Sequence, residues 1–333
     1  MTKKVNLTIV GLRRLGASIG LALTEEKANI VRTGTDSSRE VLRKAEKLGV
    51  VDNSVYNLHK AVEDADIVVL AIPVDEIQDT LVQIAPDLKE GTVILDSSPA
   101  ISQVTDWADD LLPEGRHFGS MVPSLNPEFM NLEEDTIEGA HPELFKNGVM
   151  AVTTPAGSDP GVLKLATNLT SYLGATPYYT DPVEFEGLIA AGQLLPEVVA
   201  ASLLNATTKK PGWIEGRKLA GRAFDQATRP VFHLEDEKIA GKTIMLNREN
   251  VLRKVDDMIV ELNKFKEALE NHDEDILHDL IKGAQEDRAL WVHQRKNQDW
   301  QTTATIPQED IPSIGETFNR LMFGGLFKRK KDK

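Results

Sequence analysis

Val5-Asn6-Leu7-Thr8-Ile9-Val10 runs straight into Gly11-Leu12-Arg13-Arg14-Leu15-Gly16, and an apolar helical stretch follows to about Glu26. A strand, a glycine turn and a helix in immediate succession form the opening of a parallel βαβ unit. In such a turn the first glycine, here Gly11, permits the tight reversal, and the last, Gly16, lets the helix pack closely on the strand. The place between them, where a second glycine lets backbone approach a pyrophosphate, holds Arg13. Its Cβ crowds that approach, while its guanidinium attracts phosphate.

Outward from this turn the alternation continues. A second strand, Ile30 to Thr35, ends in Asp36, twenty residues after Gly16. An acid at that spacing binds ribose hydroxyls in dinucleotide-binding domains. The helix after it carries Ala45, and Gly49-Val50-Val51-Asp52 closes the unit. Ile67 to Ile72 is a continuous apolar run ending at Pro73, and Thr92 to Leu95 is a short strand ending in Asp96-Ser97-Ser98. Residues 126–143 are acidic and loop-like, and Val149 to Thr153 is expected as the last strand. The fold class is therefore α/β: a Rossmann-type doubly wound parallel sheet, followed by an all-helical second domain. The boundaries fall at 1–180 for the Rossmann domain, 181–300 for the helical domain and 301–333 for a tail.

Within the helical domain, Gly187 to Asn205 reads as a buried helix despite Pro196. Leu252, Val255, Ile259, Leu262, Phe265 and Leu269 keep steps of three or four, one apolar stripe on a long helix. Such faces pair across two-fold axes, so a homodimer is expected. Trp213, Trp291 and Trp300 read as packing or interface residues.

Bulk properties bound the function. Of 333 residues 41% are hydrophobic and 27% charged, an ordinary globular composition. A net charge of −14 disfavours nucleic acid as a partner. The absence of cysteine excludes disulfides and thiolate chemistry and suits a reducing cytoplasm. No uninterrupted apolar run reaches the ~18 residues of a membrane span, and Met1-Thr2-Lys3-Lys4 is too short for a leader, so neither membrane nor export is expected. The basic end, Lys328-Arg329-Lys330-Lys331-Asp332-Lys333, reads as a solvated tail.

These residues point to a nicotinamide dinucleotide held by Gly11, Arg13, Gly16, Asp36 and Pro73. Asp36 favours NAD, because it would repel the 2′-phosphate of NADP, while Arg32 and Arg39 keep NADP open. A domain that keeps the fold without the ligand is the other reading, motivated by Arg13.

Several segments together resemble the prephenate/arogenate dehydrogenase family. They are the Gly11–Gly16 loop, Gly34-Thr35-Asp36, Ala45 with Gly49 and Asp52, Ala65 through Val74, Leu144-Phe145 and Thr154-Pro155. The most specific is Ala223-Phe224-Asp225-Gln226-Ala227-Thr228-Arg229, which is similar to that family's Phe-x-Asp-x-Thr-Arg segment. The likeness runs from residue 5 to about 295. It implies oxidative decarboxylation of a small carboxylate, with a hydrogen-bond acceptor on the substrate hydroxyl and an arginine, here Arg229, for carboxylate. The plainer role for Arg229 is an ion pair with Asp225.

The chain departs from the family where acid–base chemistry would occur. Phe118-Gly119-Ser120-Met121-Val122-Pro123 puts Met121 at the place of the family's histidine. Asp96-Ser97-Ser98-Pro99-Ala100-Ile101 puts Pro99 at its serine and Ile101 at its lysine. Ser98, one place earlier, and His117 are the candidate substitutes for the missing base. His141-Pro142 reads as a loop dipeptide, and His233, His272, His278 and His293 as exposed residues with no metal partners. Three hypotheses follow: a dehydrogenase of this family with a relocated base, a non-catalytic dimeric scaffold or metabolite sensor descended from it, and a β-hydroxyacid dehydrogenase. The last ranks third, because no lysine follows Gly192-Gln193 until Lys209.

Overall fold

A computed structural model describes residues 4–26, 29–129, 135–232 and 237–298. The chain divides into two compact units, one built on Met1–Val183 and one on Glu184–Trp300.

The first unit alternates strands and helices: β1 (Val5–Val10), α1 (Arg14–Ala22), β2 (Ile30–Thr35), α2 (Arg39–Leu48), β3 (Asn53–Ser54) and α3 (Leu58–Val62). The series continues with β4 (Ile67–Leu70), α4 (Val74–Ile84), β5 (Val93–Asp96), α5 (Ile101–Leu111), β6 (His117–Ser124), β7 (Val149–Thr153), α6 (Pro160–Tyr172) and β8 (Thr176–Tyr179). One eight-stranded sheet results, in the order β3-β2-β1-β4-β5-β6-β7-β8. All pairings are parallel except β6 with β7. The last strand is therefore β8. Its alternating Thr176-Pro177-Tyr178-Tyr179 lacks the apolar run that marks a central strand, because it lies at the sheet edge and buries only one face. Strand order reverses between β1 and β4, which opens a crevice at their carboxyl ends.

Leu7, Ile9, Ile67 and Leu70 are fully buried between the helical layers. Arg32 is buried among them. Its guanidinium pairs with Asp52 at 2.8 Å and donates to Gly20 O and to Thr24 Oγ1 at 2.6 and 2.8 Å. This arginine ties β2 to the end of α1 and to the chain entering β3, so it is sequestered from any cofactor phosphate, contrary to the sequence expectation.

In the second unit the described regular elements are all helices. A continuous helix over Pro182–Thr208 comprises α7 (Pro182–Ile189), a π-helical segment (Ala190–Leu194) and α8 (Leu195–Thr208). The widened turn precedes Pro196, whose missing N–H and bulky ring disturb the regular ladder. Then come α9 (Trp213–Gly216), α10 (Arg222–Phe232), α11 (Glu237–Leu246), α12 (Arg248–Glu270) and α13 (Glu274–Asn297). The Pro182–Thr208 helix is long and apolar enough, with a mean hydropathy of 1.6, to pass a compositional test for crossing a membrane. The expectation of no span rested on uninterrupted apolar runs, which Glu197 breaks. It was also expected to be buried, yet only 17% of its most apolar stretch is. The stripe on α12 faces outward too, with Leu252, Ile259, Leu262 and Leu269 about half exposed or more. His233, Trp300 and the tail lie outside the described residues.

Candidate functional site

The crevice between β1 and β4 is a cleft of about 550 Å³, lined among others by Gly11, Arg13, Asp36, Tyr56, Pro73 and Glu76. Two glycines make it. Gly11 has φ +88°, and a Cβ there would sit 2.4 Å from Ala71 O; a Cβ on Gly16 would sit 2.0 Å from Gly11 O. Both clashes are with backbone, which has no rotamer to move, so only glycine fits. Arg13 is different. It is extended (φ −69°, ψ −171°), caps α1 without a side-chain bond to the helix, and lines the cleft. Any residue adopts that backbone, so replacing glycine here costs no strain. The guanidinium adds positive charge beside the amino end of α1, where anions are favoured.

Asp36 ties the turn together. Its Oδ2 accepts the Leu12 N–H at 2.9 Å and its Oδ1 accepts the Ser38 N–H at 2.8 Å. Arg39 is exposed, with its guanidinium 4.4 Å from the centre of the Tyr56 ring. Glu76 has its carboxyl pushed up by burial and then by the Asp75 charge; Arg13 opposes this and Asp36 adds to it. Pro73 ends the β4 segment and its carbonyl accepts the Glu76 N–H at 3.0 Å. A dinucleotide fits these residues: the two glycines hold the β1–α1 turn tight against Ala71, which brings the amino end of α1, with Arg13 beside it, to the cleft.

A second group lies at the same side of the sheet, at the end of β5 and the middle of β6. Asp96 is fully buried at the register of Ser120. Its Oδ2 accepts the Ser98 hydroxyl at 2.7 Å, and its Oδ1 has no hydrogen-bond partner among the described residues. Burial pushes its carboxyl up to about 7, against the stabilising Ser98 hydroxyl and the backbone N–H groups of Ser98 and Ser97. The Ser120 hydroxyl is also buried without a partner. Ser97 instead donates to Leu70 O of β4 at 2.7 Å, which holds the β5 turn against the β4 edge.

The sequence candidates separate. Gly11, Arg13, Gly16, Asp36 and Pro73 gather at one crevice, and Ser98 stands on the neighbouring strand end. His117 does not join them: it starts β6, opposite Val93, three residues and about 10 Å before Ser120 along the strand. As a stand-in base it is therefore at the wrong end of the sheet. Met121 is buried in the core opposite Val152. Arg229 belongs to the second unit, on α10, where it pairs with Asp225 at 2.9 Å. Trp213 packs against Phe224 in a tilted arrangement with ring centres 5.2 Å apart, and His141 sits in a loop tied to α1 by its N–H to Ser18 Oγ. Asp96 and Ser120 were not singled out from sequence. The available signal was an acid closing an otherwise apolar strand, Val93-Ile94-Leu95-Asp96.

A glycine cradle at the switch point of a doubly wound sheet, with an acid ending β2, defines a Rossmann-type nucleotide-binding domain, here joined to a helical unit. Family models for the prephenate dehydrogenase nucleotide-binding domain and the prephenate dehydrogenase dimerization domain match residues 19–179 and 181–283. The chain belongs to the prephenate dehydrogenase family. The glycine loop precedes the first matched residue. The chain is 25% identical over 288 residues to the prephenate dehydrogenase of Bacillus subtilis, covering 86% of this chain and 76% of that one. It is also 25% identical over 291 residues to the cyclohexadienyl dehydrogenase of Zymomonas mobilis, covering 86% and 96%. A crystal structure of prephenate dehydrogenase from A. aeolicus, in complex with hydroxyphenyl propionate and NAD+, shares the fold with a TM-score of 0.77 at 21% identity, over 86% of this chain and 98% of that one.

Proposed function

We propose that the protein is an NAD-dependent dehydrogenase acting on a cyclohexadienol carboxylate, prephenate or arogenate, in the formation of tyrosine precursors. The observation that carries this reading is the Gly11–Gly16 cradle, closed by Asp36, in a chain of this family. Gly11, Arg13 and Gly16 would receive the pyrophosphate, Asp36 the ribose hydroxyls, and Pro73 would floor the crevice. When bound, the nicotinamide supplies a hydride acceptor. The chain's own part is to hold the substrate, with Ser98 as the first unit's candidate group for the substrate hydroxyl.

The choice of NAD over NADP follows from charge. Asp36 and Glu76 both line the cleft, so a 2′-phosphate would meet two carboxylates. Arg32, one of two arginines that would offset them, is buried on Asp52. We also propose a homodimer, built on the outward apolar surfaces of the Pro182–Thr208 helix and α12. The family's dimerization domain and the exposed Ile259 and Leu262 support this. A copy of this chain suits the Pro182–Thr208 helix better than a bilayer, given Glu197 at its middle. A cytoplasmic setting is consistent with the lack of cysteine.

Calorimetric titration with NADH and NADPH, followed by turnover on prephenate and arogenate, tests the reading. Binding of NADH well ahead of NADPH, with turnover, is expected. Failure of a folded protein to bind either cofactor would overturn it. One observation favours a second reading, a non-catalytic family member: Met121 occupies the place of the family's histidine, and a thioether takes no proton at neutral pH. NADH binding without turnover of either substrate would select it.

A further inference from the structure

Asp96 ends a central strand as a fully buried carboxyl group, and the functional reading so far gives it no task. Leu70 of β4 and Ser120 of β6 lie beside it in register, and among the described residues no charged side chain influences its protonation. One oxygen holds the Ser98 hydroxyl at 2.7 Å; the other is buried and unpartnered, as is the Ser120 hydroxyl. A buried polar atom without a partner costs stability and calls for an explanation. Capping the turn would need only an exposed carboxylate oxygen for Ser98, and does not account for burying the whole carboxyl group.

The geometry points to a two-residue proton path, from the substrate hydroxyl to Ser98 Oγ and from Ser98 Oγ to Asp96 Oδ2, which serves as the base in a chain with Met121 at the histidine place. This rests on the dehydrogenase reading. Ser98 is the catalytic residue, since it would touch the substrate oxygen; Asp96 acts through it. As the carbinol C–H leaves as hydride to the oxidised nicotinamide, the hydroxyl proton passes to Ser98 Oγ and the proton of Ser98 passes to Asp96. The ring carboxylate then departs as carbon dioxide. The electron pair of its broken C–C bond aromatises the ring and ends on the oxygen, which takes the proton back along the same path. No net proton is released, and Asp96 returns to its carboxylate. A group that alternates between the two forms works best with an affinity near the operating pH, and burial holds Asp96 near 7.

The test uses the full-length protein. Wild-type turnover of prephenate and arogenate is measured first, across the neutral range. A rising limb of kcat/KM near pH 7 is expected, and 13C NMR of the free protein should show the Asp96 carboxyl titrating there. Asp96→Asn and Ser98→Ala should each lower kcat by roughly 100-fold and abolish the limb, with NADH affinity unchanged. Retention of the wild-type limb by either variant, when folded and binding NADH, would overturn the path while leaving the dehydrogenase reading intact. Absence of wild-type turnover on both substrates would take down both. If Asp96→Asn does not fold, Ser98→Ala, a deletion of one oxygen, decides alone.

Discussion

The two units of this chain solve the problem of burying apolar surface in opposite ways. In the first, helices cover the sheet and Leu7, Ile9, Ile67 and Leu70 are wholly inside. In the second, the described buried core is small, centred on Ala190, Leu194 and Val251, while Leu252, Ile259, Leu262 and Leu269 stand about half exposed or more. Burying such a side chain is worth about 1.5–3 kcal/mol, so a row left outside marks a face meant for another surface. The ion pairs follow the same division. Arg32–Asp52 has its arginine fully buried, whereas Arg229–Asp225 is exposed on one helix face. A unit that closes its own core can place polar groups inside it for a purpose; a unit that stays open keeps them in water, where they do little for stability.

The largest expected effect probes the polar interior of the first unit. The Asp96 carboxyl titrates near 7 when folded against 3.8 as the free group, so between those values the folded chain keeps a proton that the unfolded chain has lost. Stability should therefore fall as pH rises from about 4 to 7, by roughly 4 kcal/mol, and level off above. Urea unfolding of Asp96→Asn should lack that slope; an unchanged slope would remove Asp96 as its source. Next, Arg32→Leu should destabilise the first unit by about 3 kcal/mol, because it removes the buried half of the ion pair with Asp52 and the donor to Gly20 O and Thr24 Oγ1. Ile259→Glu combined with Leu262→Glu should weaken self-association at least ~100-fold by light scattering, about 3 kcal/mol. Undiminished association would mean that the outward stripe of α12 serves something else. The smallest effect belongs to Asp225→Ala, which should change unfolding stability by less than about 0.5 kcal/mol, as exposed helical ion pairs do. A loss comparable to that of Arg32→Leu would erase the contrast between the units.

The fold and half of the candidate site were legible in the sequence. Strands buried on both faces read as apolar runs, and the glycine turn announces itself because only glycine tolerates the backbone at Gly11 and Gly16. The acid at Asp36 lies at a fixed spacing from that turn for the same geometric reason. Edge strand β8 was missed because it has no two-sided burial to record. The burial expected for Gly187 to Asn205 failed because apolarity states what a helix should cover but not with what.

Local chemistry determined the βαβ alternation, the glycine cradle and the helical character of the second unit, since each depends on neighbours a few residues apart. Only the tertiary structure decided the roles of the polar residues. Arg32 looks like a phosphate ligand until β2 is seen to bury it on Asp52, and His117 looks near the chemistry until strand direction puts it at the far end of β6. Asp96 gains its raised affinity for protons from β4 and β6 packing on either side of it. Burial and strand direction are properties of the assembled sheet, and the sequence around a residue does not encode them.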